Sequence, residues 1–295
     1  MTTELIANGF PPRPSNPPPH WWINAVSGGT YIAPVFTPRI HHNTPLPPPA
    51  KAPSASQAIA GYDSSNWAGY VAGTGQTFDA VVATWELRSV TAPTGVNAYS
   101  SLWPGLGSGH SSSDQLMQAG SESDMLWTYT LGTYYPNPQY YLWWDIVPLY
   151  SSDSQVNISV SPGDTIFVYV YYTSGDVHFY LKNESTATYT SFSVSASGLL
   201  GQQAEWITER TEQCYFSCVY PPLANFPAVT FTGAQAEVGS YWQGVEAYSA
   251  ENYTMYDPYN DDTEQPDASA GSIGSSGDNF TLTWQHYGDT DASGT

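Results

Sequence analysis

The sequence predicts an all-β protein, and three observations carry that reading. Charged residues make up only 11% of the chain, against roughly 25% in an ordinary soluble domain. Aromatic residues reach 15%, with 11 Trp and 23 Tyr, a composition that favours strands over helices. Short β-branched and aromatic runs recur between turn residues, and no helix-length apolar period competes with them. Strands this short and numerous build a sandwich or a barrel, and the pattern alone does not choose between the two.

Residues 1–57 differ from everything after them. They hold the proline clusters PPRPSNPPP and PLPPPAKAP, and the cations Arg13, Arg39 and Lys51 against one acid, Glu4. Such a stretch favours extended, polyproline-like backbone. It reads either as a linker or tail, or as a cationic pro-segment lying across an acidic catalytic domain. In the second case charge attraction holds it near neutrality and weakens as carboxylates protonate, with processing expected near residues 50–60.

Residues 58–295 read as one domain. Its strands are expected at 65–72 (SNWAGYVA), 77–87 (TFDAVVATWEL), 139–147 (QYYLWWDIV) and 155–160 (QVNISV). Others follow at 164–172 (DTIFVYVYY), 176–183 (DVHFYLKN), 190–196 (TSFSVSA), 204–210 (AEWITER) and 280–285 (FTLTWQ). A short strand, LMQAG at 116–120, ends at glycine, and SPGD at 161–164 marks a turn. The stretch 257–279, rich in Asp, Gly and Ser, reads as a long loop.

The chain carries 26 acidic residues against 6 basic ones. Glu4 is the one acid before Ala58, and beyond it the cations are only Arg88, Lys182 and Arg210. This balance argues against nucleic acid, whose phosphates need Lys and Arg. No apolar run approaches the ~20 residues of a membrane span. Met1 is not followed by a basic-then-apolar signal, yet a secreted, monomeric protein is expected. At about pH 2–3 most carboxylates are neutral, and the few cations then repel one another little. The composition therefore suits work in acid.

Cys214 and Cys218, in CYFSC, are the two cysteines. Two thiols cannot complete a structural zinc site, so no metal or cofactor is expected, and a local disulfide fits an oxidising compartment. Sequons at Asn157, Asn183, Asn252 and Asn279 are of the kind a Ser/Thr-rich chain produces by chance.

The common hydrolase signatures are missing: no G-x-S-x-G elbow, no H-E-x-x-H, no Walker loop, no paired Asp-Thr/Ser-Gly loops. His110, His178 and His286 are isolated, which leaves carboxylates for acid–base work. Glu205 stands inside an apolar strand, and alternation puts Glu205, Ile207 and Glu209 on one face, with Ala204, Trp206 and Thr208 on the other. Either that face is the solvated outside of an edge strand, or the carboxylates have work to do. Gln118, in LMQAG, offers two donors and an acceptor, as an ordinary buried glutamine also would.

From about residue 64 to 285 the chain resembles the eqolisins, a family of glutamic peptidases. SSNWAGY (64–70), VVATWEL (81–87), SSLWPGLGSG (100–109), LMQAG (116–120), YLWWDIVP (141–148), SPGDTIFVYV (161–170) and AEWITER (204–210) match its segments in order. The A-E-W-I tetrad is the most specific. The resemblance implies a β-sandwich of two large antiparallel sheets, of the concanavalin A-like or jelly-roll type, whose concave sheet forms the substrate cleft. It also implies Glu205 and Gln118 as the catalytic pair acting on protein or peptide substrates. Trp103 and Trp67 would line the cleft, and Asp145 and Glu209 would be supporting carboxylates there. Two departures bear on substrate preference: PGLG at 104–107 replaces a V-G-I-D-G type run, and Asp145 replaces the usual glutamate. The implied chemistry is direct water attack, with Glu205 as a base of near-normal pKa and Gln118 steadying the oxyanion.

The aromatic wealth, with Trp143, Trp144, Trp242, Tyr140 and Tyr141 among its rings, raises a second reading: a carbohydrate-binding or carbohydrate-active sandwich. A retaining glycosidase needs two carboxyls about 5 Å apart. Glu205 and Glu209 lie roughly 13 Å apart along a strand.

Overall fold

The structure, a computed structural model, describes residues 20–39, 41–42, 61–73, 75–108, 115–150, 152–173, 175–214, 218–257 and 265–288. Arg13, Lys51, His110 and the whole of the expected processing region near residues 50–60 lie outside them.

The N-terminal segment supplies a helix, α1 (His20–Val26), and three short strands, β1 (Thr30–Tyr31), β2 (Phe36–Pro38) and β3 (His41–His42). The sandwich opens with β4 (Gly61–Ser64), β5 (Trp67–Ala72), β6 (Ala80–Glu86) and β7 (Ser101–Gly107). A long hairpin follows, β8 (Leu116–Thr130) and β9 (Thr133–Val147), and then β10 (Ser154–Val156). Next come β11 (Thr165–Thr173), β12 (Asp176–Asn183), β13 (Thr188–Ser195) and β14 (Gln203–Glu209). The chain ends through β15 (Glu212–Cys214), β16 (Cys218–Val219), β17 (Val229–Val238), β18 (Tyr241–Gly244), β19 (Glu251–Met255), β20 (Ala268–Ala270) and β21 (Phe280–Trp284).

These strands form two layers. The outer layer runs β18–β17–β6–β11–β12–β13, with β1 added in parallel at the β13 edge. The cleft layer runs β2–β10–β9–β8–β7–β14–β5–β19–β4. Strand β17 joins the two: Val229–Phe231 pair with β21, the register shifts between Thr232 and Gln235, and the remainder pairs with β6. A bulge of this kind lets one strand turn between sheets.

The main core lies between the layers. Ala204, Trp206, Leu106, Met117, Ala119, Leu142 and Trp144 from the cleft layer meet Val81, Ala83, Trp85, Val168, Val170 and Leu181 from the outer one. Two buried indoles tie the layers by hydrogen bonds: Trp206 Nε1 donates to the Val82 carbonyl at 2.9 Å, and Trp85 Nε1 to Ser121 Oγ at 3.0 Å.

Several expectations are corrected. Strand β8 does not stop at Gly120 but runs on to Thr130. That glycine marks a close approach, since a Cβ there would lie 2.2 Å from the Leu102 carbonyl oxygen. The 257–279 stretch contains β20, which pairs with β19 and β21. The strands across 229–255 were not foreseen. Within residues 1–57, residues 20–26 are helical rather than extended, because Trp21, Trp22 and Ala25 share a side that buries against Ala80, Val82, Phe167, Tyr169 and Tyr180 of the outer layer. Asn183 is buried and donates to Asp164, so its sequon is engaged in the fold.

Candidate active site

One cross-strand row assembles the residues singled out in the sequence. In register, Glu205 of β14 faces Gly105 of β7, Gly105 faces Gln118 of β8, and Gln118 faces Asp145 of β9. On its other side Glu205 faces Val71 of β5, which faces Glu251 of β19. Directly opposed residues project from the same face of a sheet. With strands about 4.8 Å apart, the Glu205 and Gln118 backbones stand roughly 10 Å from each other. The residue between them is a glycine, packed under the cleft-face side chains: a Cβ there would lie 2.9 Å from Trp103 Cζ3 and 3.1 Å from Leu116 Cδ1. A second glycine makes room for the acid itself: a Cβ on Gly107 would lie 2.2 Å from Glu205 Oε1.

Strand β14 is central, flanked by β5 and β7, which removes the solvated-edge reading of Glu205. The alternation holds. Ala204 and Trp206 enter the inter-sheet core, while Ile207 joins a separate cluster on the cleft face with Trp67, Val71, Trp103, Leu116, Tyr141, Trp143 and Tyr253. Two residues further along, Glu209 fixes an aromatic wall. Its Oε2 accepts from Trp103 Nε1 at 2.8 Å, its Oε1 accepts from Asn66 Nδ2 at 3.2 Å, and Trp67 meets Trp103 edge-on at 5.0 Å.

Glu205 and Gln118 are both enclosed, 2% and 0% exposed. Burial pushes the Glu205 carboxyl up to about 8. The near-normal acidity expected from sequence is therefore corrected, because desolvation disfavours the ionised form. Asp145 is raised to about 7 by the same cause, partly offset by the Ile146 N–H that its Oδ1 accepts.

Tyr253 was missed by sequence reasoning. It belongs to the cleft cluster, lies within the electrostatic reach of Glu205, and stacks on Tyr62 at 5.2 Å. Its strand, ENYTM, reads as a polar loop with a sequon, so the phenol carried no signal. Of the rings behind the sugar reading, Trp143, Trp144 and Tyr141 are buried and offer no exposed stacking platform. Backbone pairing sets Cys214 opposite Cys218; their side chains lie outside the described ones. Among the described residues no cluster of His, Cys, Asp or Glu has metal-binding geometry.

Comparison with known proteins places the chain in the glutamic class of peptide hydrolases. The chain is a member of the Peptidase A4 family, the eqolisins, whose family model matches residues 65–283. A solved structure of scytalido-glutamic peptidase with a peptide-based transition state analogue is similar over 75% of this chain and 98% of its own, at 26% identity and a TM-score of 0.59. The same peptidase with another transition state analogue inhibitor gives 24% identity and a TM-score of 0.60 over the same shares. SCP-B, an eqolisin in complex with the tripeptide Ala-Ile-His, gives 24% and 0.57, again over 75% and 98%. No curated protein matches the chain.

Proposed function

We propose that this chain is an acid-active endopeptidase in which Glu205 and Gln118 act on a single water. The observation that carries the reading is the Glu205–Gly105–Gln118 row. Glu205, ionised, takes a proton from the water as its oxygen attacks the peptide carbon. The Gln118 amide N–H donates to the oxygen of the breaking carbonyl as it becomes an oxyanion. Glu205 then passes its proton to the leaving nitrogen, the C–N bond breaks, and no acyl-enzyme forms. A buried Glu205 that holds its proton up to about pH 8 is no base in acid, so turnover requires water and substrate to enter the cleft, which returns the carboxyl toward its ordinary range. On this reading the enclosed form is the resting one, the cationic residues 1–57 are a removable pro-segment, and the enzyme works outside the cell as a monomer.

Hydrolysis of a denatured protein from pH 2 to 7, before and after acid incubation, tests the proposal. Cleavage confined to acid and lowered about 10²–10⁴-fold in Glu205→Gln is expected. Equal cleavage by the variant would remove Glu205 from the chemistry. Sugar binding without cleavage would favour the carbohydrate reading.

A further inference from the structure

The hairpin of β8 and β9 runs well past the sandwich that carries the candidate site. Its strands stay paired from Leu116 opposite Val147 out to Thr130 opposite Thr133. Strand β7 leaves β8 at Glu122, a single bridge joins Ala98 to Met125, and β10 covers β9 only at residues 142–144. Residues 128–138 are all exposed, on both faces of the ribbon. Residues 125–144 contain no Asp, Glu, Lys, Arg or His, in a chain of formal net charge −20 at pH 7. Leu131, 99% exposed, stands at the apex beside Gly132, and behind it lie Tyr129, Tyr134 and Tyr135, 63%, 45% and 54% exposed.

Leu131 buries almost none of its surface, and its backbone works against the fold. Its φ of 51°, next to 85° at Gly132, sets both central residues of the turn in the left-handed region. Such a hairpin turn favours Asn, Asp or Gly at its first place, and a leucine there is strained. Strain kept at an exposed apolar apex points to a use outside the fold. A further strand is a poor partner. Pro136 and Pro138 have no N–H to offer along the β9 edge, and on the β8 edge Asn97 Oδ1 accepts the Trp127 N–H at 2.8 Å. A sugar fits poorly as well. The Tyr129 and Tyr134 rings are tilted by 50° and give no flat platform, and Gln139 Nε2 donates to Asn137 Oδ1 at 2.9 Å, so the nearby amides hold each other.

We propose that this tip docks the protein on a zwitterionic lipid bilayer, with Leu131 entering one leaflet and Tyr129, Tyr134 and Tyr135 resting at the headgroup level. The charges match, since an uncharged tip meets a surface of no net charge and no ionised group leaves water. Depth agrees too. The Tyr129–Tyr134 pair sits two residues behind the apex, roughly 7 Å at about 3.4 Å per residue, within the about 5–10 Å to which interfacial elements sink. Phenol rings favour that level. Rings on both faces suit a medium that surrounds the ribbon, whereas a protein partner would cover one side. A lone hairpin leaves strand edges unpaired and cannot span the hydrocarbon, so the contact is shallow and reversible. It does not rest on the peptidase reading.

Co-sedimentation of the full chain with phosphatidylcholine vesicles at pH 4 and pH 7 tests the proposal. Wild type should partition to them at both values. At pH 7 it should partition less to phosphatidylserine vesicles, which repel the acidic body of the protein. Leu131→Asn should lower the partition coefficient about tenfold or more, while its Tm stays level or rises, because asparagine suits the turn. No partition of wild type, equal partition of the variant, or a preference for phosphatidylserine at pH 7 overturns the proposal. A Tm lowered by several degrees in Leu131→Asn would make the leucine a residue of the fold and overturn it as well. Two further measurements decide between partners. Self-association in sedimentation, or retention on an insoluble β-glucan, that is lost in Leu131→Asn while vesicles bind neither protein would assign the tip to a second copy or to a glycan and overturn the lipid.

Discussion

On β14, Ala204 and Trp206 look toward the outer layer, whereas Glu205, Ile207 and Glu209 look into the cleft. The same division runs through β7, β8 and β9: Leu106, Met117, Ala119 and Trp144 on one side, Gly105, Gln118, Glu122 and Asp145 on the other. Both faces are buried. On the core face burial removes apolar surface from water and stabilises the fold, at about 25 cal/mol per Å². On the cleft face it dehydrates carboxyl groups and amides and works against the fold. On the proposed reading, chemistry and stability are thus built on alternate residues of the same strands, and substitutions on the two faces should fail differently.

The largest effect belongs to the core face. Trp206→Ala removes a fully buried indole and its hydrogen bond to the Val82 carbonyl, a cost of about 3–5 kcal/mol. Its loss of Tm should be the same at pH 3 and pH 7, because no titrating group is touched. On the cleft face, Gln118→Ala should do the reverse. Turnover should fall about 10²–10³-fold, as for loss of one oxyanion donor, with the unfolding midpoint held within a few degrees. A Gln118→Ala protein that unfolds early but retains turnover would make Gln118 a packing residue.

A smaller, pH-dependent effect separates the faces further. A carboxyl raised by burial is harmless to the fold below its unfolded value, near 4.5, and its cost grows as pH climbs toward the folded value. For Glu205 that folded value is about 8 and for Asp145 about 7, so the enclosed form should lose stability between pH 4 and 8. Glu205→Gln cannot ionise. Its Tm at pH 8 should exceed the wild-type value by about 5 °C or more, and the two should converge near pH 4. A constant offset across that range would show that Glu205 is not dehydrated in solution.

How much of this was legible in the sequence depended on the same alternation. Glu205, Ile207 and Glu209 could be assigned to one face from a period of two, and β14 does place them so. Gln118 could be named only through the family pattern, because a glutamine in a short apolar run has no signature. What escaped was long-range. Gly105 and Gly107 matter for what sits beside them, and Tyr253 reaches the cleft because β19 pairs with β5 across the intervening chain. Arg39 was visible as a cation in a proline-rich stretch, but its place over the Tyr141 ring of β9 was not. Neither composition nor local spacing encodes such a meeting. The helix at 20–26 was hidden for the same reason, since its two tryptophans gain their stability from the outer layer rather than from the helix.

The smallest effect concerns Glu209, a carboxylate that holds an aromatic wall and has no part in the proposed water attack. Glu209 accepts from Trp103 Nε1 and from Asn66 Nδ2, and Asn66 Oδ1 is itself close to Ser64 Oγ at 3.3 Å. Glu209→Gln keeps one acceptor, which can go to Trp103, but turns an amide donor toward the Asn66 amide. Asn66 must then rotate and give up its present partner, a loss of about 1 kcal/mol. Trp103 stays in the wall with a weaker hold, so binding should suffer before chemistry does. KM should rise about fivefold, equivalent to that 1 kcal/mol, while kcat stays within about twofold and the pH profile keeps its shape. A fall in kcat with KM unchanged would move Glu209 from holding the wall to serving the reaction, and the Glu205–Gln118 row would then be too narrow a description of the site.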